Sequence, residues 1–280
     1  MMSPEFWQAV LLGVVQGIAE FLPISSSGHL VVFGPPVGRW LGTSVQGEEN
    51  LILNVVLHVG TLFSILVIYR RALWDVLKRF DLCLYIVLAT VPLGIAGLTL
   101  KPLLDRAFET TLVVAVGWIA TAGMLIVGQK VAARPDARSL EEMSPWQALL
   151  IGLFQAVALV PGISRSGSTI AGGMLSGLRR NDAATFSFFI AIPAISAAAL
   201  KVLMDAVSLE TGEQSAASLL ISQWPALLAG ALTSFVVGLF ALRLLLKMVA
   251  GMRLHWFAYY CLAMAAGTLI WQLGPWSAGG

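Results

Sequence analysis

The sequence predicts an all-α polytopic integral membrane protein with an inverted-topology repeat, each half one re-entrant helical hairpin plus three transmembrane helices. Three observations carry this expectation. The 280 residues are 58% hydrophobic and only 11% charged, with a mean hydropathy of +0.85, which excludes an ordinary soluble domain. One stretch occurs twice at an offset of 139: Trp7 to Leu30 aligns without a gap on Trp146 to Thr169, with 11 of 24 positions identical. Each copy is followed by three apolar runs long enough to cross a bilayer. Three is odd, so the second half lies upside down relative to the first.

The opening, MMSPEFWQAV, lacks a basic n-region and carries Glu5, so no cleavable signal peptide is expected. Residues 5–34 form the first hairpin, because Pro23 and the polar run Ser25-Ser26-Ser27-Gly28-His29 interrupt an apolar helix. Such a break at membrane depth survives only when buried in protein or lining a wet cavity, so its tip is expected near residues 22–28. Residues 35–50 read as a polar surface loop. Spans follow at about 51–69, 82–100 and 110–129, then the second hairpin at 146–178, then spans at about 184–204, 223–245 and 257–273. The chain is thus one membrane domain with internal repeats 1–140 and 141–280. The 27 glycines fit close helix packing in lipid.

Charge placement orients the spans. With 70–81 cytoplasmic, twelve of the 17 Lys and Arg fall in inside loops, Arg134 and Arg138 among them. Four fall outside, Arg165 is left at a hairpin tip, and both termini face outside. Trp40, Trp118, Trp224, Trp256, Trp271 and Trp276, near span ends, read as interface anchors. Cys83 and Cys261 lie in apolar runs and read as small buried hydrophobes. A net charge of +2 gives no sign of a nucleic-acid partner; the expected partners are lipids.

The candidate chemistry sits where the two copies differ. Glu20 faces Leu159, Ser26 faces Arg165, and His29 faces Ser168. Gln16 and Glu20, four apart in the last turn of the first half-helix, offer oxygen ligands beside a negative helix end and suit Mg²⁺ or Ca²⁺. Pairing of Glu20 with Arg165 for folding is the plainer reading, but an ionisable group inside a membrane segment is costly enough to point to function. Ser25, Ser26, Ser27 and Gly28 in one tip, and Ser164, Arg165, Ser166, Gly167 and Thr169 in the other, sit where short helices begin. Free N–H groups, hydroxyls and a guanidinium fork there would cage a phosphate; N-capping alone needs one residue per tip. His29 follows Ser26 by one turn, so it fits either an activated Ser–His nucleophile or a proton donor to a leaving phosphate. His58 and His255 lack such company and are assigned no role.

These residues resemble a known family. QGIAEFLPISSSGH resembles the (E/Q)-x-x-x-E segment and Ser-rich signature of the undecaprenyl-pyrophosphate phosphatases of the bacitracin-resistance type. PGISRSGSTIAGGMLSG resembles that family's P-G-x-S-R-S-x-x-T signature, and the likeness covers essentially the whole chain. The resemblance implies a multi-pass enzyme of the bacterial inner membrane that removes the terminal phosphate of a C55 polyprenyl diphosphate, regenerating the carrier for cell-wall synthesis. It also implies a divalent metal and a homodimer. By position, Gln16 and Glu20 match the acidic motif, Ser26 the proposed nucleophile, His29 the essential histidine and Arg165 the phosphate-binding arginine. The active site is expected near the midplane, opening to the periplasm. A transporter or flippase of the lipid phosphate is the rival class, since the same broken helices serve transport; an ion channel fits poorly with a Ser/Arg/His cluster.

The orientation is testable. Cysteines placed at residues 2 and 278 are expected to react with an impermeant thiol reagent in intact cells, and one at 136 is not; labelling at 136 alone would sink the inverted arrangement.

Overall fold

The computed structural model describes residues 3–42, 48–132, 137–207 and 220–273, so the two chain ends, Arg134, Trp276 and the labelling positions 2, 136 and 278 lie outside the described residues. Among the described residues the chain is helical with no strand, only a single bridge between Arg138 and Leu178. Helix α1 (Pro4–Ala19) starts at the Ser3 cap with Pro at its first position, and α2 (Ser26–Leu41) starts at the Ser25 cap. Then come α3 (Glu48–Val76), α4 (Phe80–Thr99), the short α5 (Lys101–Phe108) and α6 (Thr111–Val131). The second half runs α7 (Pro145–Val157), α8 (Arg165–Leu175), α9 (Arg180–Val207), α10 (Trp224–Ala250) and α11 (His255–Leu273).

Both expected helix–break–helix stretches are present, as α1/α2 and α7/α8. The stretch 35–50 is corrected: α2 continues through Pro35 and Pro36 to Leu41, and α3 already begins at Glu48. Proline's fixed φ is itself helical, so the cost falls on the bonds its missing N–H cannot make to residues 31 and 32 and on the crowding of its ring against those carbonyls. Helix α3 also runs past 69 to Val76, carrying Arg70 and Arg71 in its last turns. Among the described residues, five helices are long and apolar enough to cross a membrane: α3 from Leu51, α4, α6, α9 to Met204, and α10. The expected sixth span is the 19-residue α11, and its Tyr259, Tyr260, Trp271 and Gln272 keep it outside that set. Each hairpin packs on a helix of the other half, α1 on α10 and α7 on α4.

Backbone approach at glycine sets these contacts. A Cβ on Gly13 would stand 2.7 Å from the Gly230 carbonyl oxygen, and one on its repeat equivalent Gly152 would stand 2.5 Å from the Ala89 carbonyl oxygen. No side chain fits there, as at other small-residue contacts between membrane helices. The largest fully buried side chains, Trp118, Phe21, Phe186, Phe188 and Phe189, belong to one buried cluster that also takes in Ala19, Ile24 and Ile170 of the hairpins. Before α7, a 3₁₀ turn at Leu140–Glu142 is capped reciprocally by Ser139 and Glu142. The Ser139 N–H and hydroxyl hold the Glu142 carboxyl below the usual carboxylate range.

Gly152→Ala is therefore expected to destabilise by about 1–3 kcal/mol, the usual cost of overpacking, read as a lower unfolding midpoint in detergent. Gly97→Ala, where a Cβ meets nothing within 4 Å, is expected to leave the midpoint unchanged or slightly raised.

Candidate active site at the hairpin tips

The two tips touch. Ser166 Oγ donates to the Leu22 carbonyl at 3.5 Å, a Cβ on Gly28 would lie 3.2 Å from Gly162 Cα, and one on Gly167 would lie 3.1 Å from Pro23 Cβ. Beside this contact lies a cavity of about 310 Å³. Glu20, Ser25, Ser26 and Ser27 of the first tip line it, with Ser164 and Arg165 of the second. Its far wall is apolar, formed by Val55 of α3 and Ala194, Ile195 and Ala198 of α9.

Glu20 is the hub. It is 7% exposed, at the C-terminal end of α1, and Arg165, which is 145 residues away, donates to its Oε1. Its Oε2 accepts from Gln16 Nε2 at 3.0 Å and from Ser26 Oγ at 3.3 Å, and His58 Nε2 stands 3.4 Å away. Arg165 is steadied from α9, where Nη1 donates to the Ser187 carbonyl at 3.3 Å. Thr169 ties the same turn down, donating to the Arg165 carbonyl at 2.7 Å and lying 2.6 Å from Ser187 Oγ.

Each tip is capped the same way. Ser25 Oγ accepts from Gly28 N at 3.2 Å and Ser164 Oγ accepts from Gly167 N at 3.1 Å. Those two glycine amides are thereby used. The first-turn amides of Ser26 and Ser27, and of Arg165 and Ser166, need acceptors from outside their helices and carry the positive helix ends. Gly28, Gly167, Ser166 and Thr169 do not line the cavity; Ser166 and Thr169 are fully buried in packing and capping contacts.

His29 is set apart from Ser26, and no hydrogen bond joins them. Its Nδ1 lies 2.7 Å from the Ser25 carbonyl oxygen and its Nε2 lies 2.7 Å from the Tyr260 hydroxyl. The ring lies 7° from parallel to Tyr260, and Trp118 meets it edge-on at 5.4 Å. Ser25, whose carbonyl it holds, has φ 68 and ψ 100, a left-handed backbone that costs a non-glycine residue about 1–3 kcal/mol.

Several partners escaped the sequence reading. His58 does have company: it lines the cavity beside Glu20, and its Nδ1 lies 2.8 Å from the Asn54 carbonyl one turn earlier on α3. The rule that singled out Glu20, an ionisable group inside an apolar run, would have found it. Trp118 is no interface anchor: it is fully buried, and its Nε1 donates to the Ile24 carbonyl at 2.8 Å. Trp40, Trp224, Trp256 and Trp271 are exposed, as anchors would be. Thr121, one turn after Trp118, donates to the Gly162 carbonyl at 3.1 Å and accepts from Ser164 N at 3.0 Å. Helix α6 thus holds both tips.

For a hard cation the oxygen donors at the cavity are Glu20 and Asn54, whose Oδ1 is buried with no donor of its own; Gln16, expected as a ligand, does not line the cavity and turns its Nε2, not its Oε1, to Glu20. That chemistry suits Mg²⁺ or Ca²⁺. Among the described residues no three His, Cys, Asp or Glu gather as a metal cluster, so Glu20 and Asn54 would need further ligands brought by a substrate.

The chain is similar to known proteins over almost its whole length. The family model of the bacitracin resistance protein BacA matches residues 9–267. An undecaprenyl-diphosphatase of Rhodopirellula baltica is 42% identical over 95% of this chain and 97% of its own. One from Rubrobacter xylanophilus is 39% identical over 94% and 96%, and one from Alkaliphilus metalliredigens 34% over 95% and 98%. Spanning almost the whole length of such relatives and matched by the family model from its first hairpin to α11, the chain belongs to the bacitracin resistance protein BacA family.

Proposed function

We propose that this membrane protein hydrolyses undecaprenyl diphosphate to undecaprenyl phosphate and inorganic phosphate, recycling the lipid carrier of cell-wall synthesis in the bacterial inner membrane. One observation carries the reading from the structure: an intramembrane carboxylate, a guanidinium and serines of both tips converge on one small cavity with an apolar wall. Its size, about 310 Å³, suits a diphosphate headgroup, while a 55-carbon tail must leave along the Ala194–Ala198 side of α9 between the spans.

In this reading Glu20 stands where the substrate's charge will come. An arriving diphosphate takes the Arg165 fork, which matches two phosphate oxygens, and frees one face of Glu20. Ser26 Oγ already donates to Glu20, so the carboxylate is the acceptor for its proton. Attack by Ser26 Oγ on the terminal phosphorus forms a phosphoserine and breaks the bridging P–O bond. Undecaprenyl phosphate then leaves, and water hydrolyses the phosphoserine to release inorganic phosphate. The free first-turn amides and the two helix ends stabilise the charge that develops. A divalent cation held by Glu20 and Asn54 Oδ1 would neutralise further phosphate charge. The same reading takes the halves, 1–140 and 141–280, as inverted repeats, supported by the exchange of partners between α1/α10 and α7/α4. It takes the protein as a homodimer with both termini outside, the orientation that the charge count favours.

Purified protein in detergent is expected to release phosphate from a C55 diphosphate; a transporter alone releases none. Ser26→Ala is expected to cost more than about a thousandfold in kcat if Ser26 attacks, and about a hundredfold if it only donates a hydrogen bond to the transition state. Arg165→Lys keeps the charge and loses the fork, so near-normal turnover would exclude two-point phosphate contact.

Chelation supplies an independent check. EDTA is expected to abolish turnover, with Mg²⁺ or Ca²⁺ restoring it, and Asn54→Leu to raise the cation concentration required. Full activity in chelator would reject the metal and leave Glu20 as base and partner of Arg165.

A further inference from the structure

We infer that Tyr260, acting through the ring of His29, is a positioning residue for the first hairpin tip, and that His29 serves the reaction by holding backbone. The hydrogen-bond chain has a defined direction. The Ser25 carbonyl can only accept, so the His29 Nδ1 standing 2.7 Å from it carries the proton. The Nε2 of the neutral ring is then a bare acceptor, and the Tyr260 hydroxyl, 2.7 Å away, is its donor. Both ring nitrogens are thus committed, and neither serves Ser26, whose hydroxyl turns to Glu20.

The chain ends on the one strained residue of the site. Ser25 has a left-handed φ of 68, and its carbonyl receives two donors from the same residue, His29 N at 3.3 Å and His29 Nδ1. Its own hydroxyl caps Gly28 N and lies 3.1 Å from Ser27 Oγ. The turn at Ser25 therefore decides where Ser26 and Ser27 point. The ring that holds it is wedged between Tyr260, stacked at 5.7 Å, and the edge of Trp118. Tyr260 lies on α11, 231 residues from His29 and outside both repeated stretches.

The turnover arm uses the diphosphatase assay and so rests on that reading; a nitrogen-15 spectrum of the wild-type protein in detergent tests the chain without turnover. There His29 is expected to carry its proton on Nδ1, with Nε2 bare and hydrogen-bonded; a proton on Nε2 overturns the inference, whatever the enzyme assay gives. Tyr260→Phe keeps the stack and removes the hydroxyl. It is expected to lower kcat about three- to tenfold, the rate equivalent of one neutral hydrogen bond, with KM within about twofold. His29→Asn, whose amide N–H can stand in for Nδ1–H toward Ser25, is expected to retain clearly more turnover than His29→Gln. Adding Tyr260→Phe to His29→Asn is expected to change nothing further, because the asparagine has no group for the hydroxyl to meet. Wild-type kcat in Tyr260→Phe, the same loss in both backgrounds, or His29→Asn no better than His29→Gln would each overturn it.

Discussion

Everything at this site depends on satisfying buried backbone that is not helical. An unpaired carbonyl or amide in hydrocarbon costs several kcal/mol, and each hairpin tip exposes several in a row. The protein answers residue by residue. In the first tip the Pro23 carbonyl accepts from the Cys261 thiol at 3.5 Å, the Ile24 carbonyl from Trp118, and the Ser25 carbonyl from His29. In the second, Thr121 serves both the Gly162 carbonyl and Ser164 N. Because Trp118 and Thr121 are one turn apart on α6, one helix fixes both tips relative to each other.

That scaffold is what allows a carboxylate and a guanidinium to stand inside the protein. A buried ion pair is weak evidence of stability, since desolvation offsets most of its attraction. Here Glu20 gathers four polar neighbours and Arg165 is braced by Ser187, so the pair is held open to a cavity and ready to exchange partners with an anion. The arrangement reads as a charge-neutral resting site whose internal partner stands in for a phosphate.

How much of this could be read from sequence follows from what kind of signal each part leaves. The hairpins, Glu20 and Arg165 were legible because polar residues and Pro-Gly breaks stand out against apolar runs and repeat at a fixed offset. Trp118 was misread as lying near a span end although it stands about two turns inside α6, and the fold shows it facing a buried carbonyl. Tyr260 and Ser187 carry no motif at all, and their roles come from distant packing. His58 was legible in principle, four residues after Asn54 in an otherwise apolar run, and was passed over because its partner Glu20 lies on another helix. The helical course through Pro35 and Pro36 ran against breaker chemistry, since proline disrupts a helix through a missing bond and a ring–carbonyl clash and not through its own φ.

The two tips also show how a duplicated turn becomes asymmetric. In the second tip the left-handed residue is Gly162, with φ 89, and the Ser164 cap that follows has an ordinary extended backbone. The residue aligned with Gly162 in the first tip is Pro23, whose ring fixes φ near −65° and forbids that conformation. The left-handed turn is displaced two residues along, onto Ser25, where a side chain must tolerate it. A strained serine needs an external hold, and the position that supplies it, His29, is serine in the other copy. Exchanging glycine for proline at one position thus goes with a strained serine held by a histidine in the tip bearing Ser26, and α11 meets that tip twice, at His29 through Tyr260 and at the Pro23 carbonyl through Cys261.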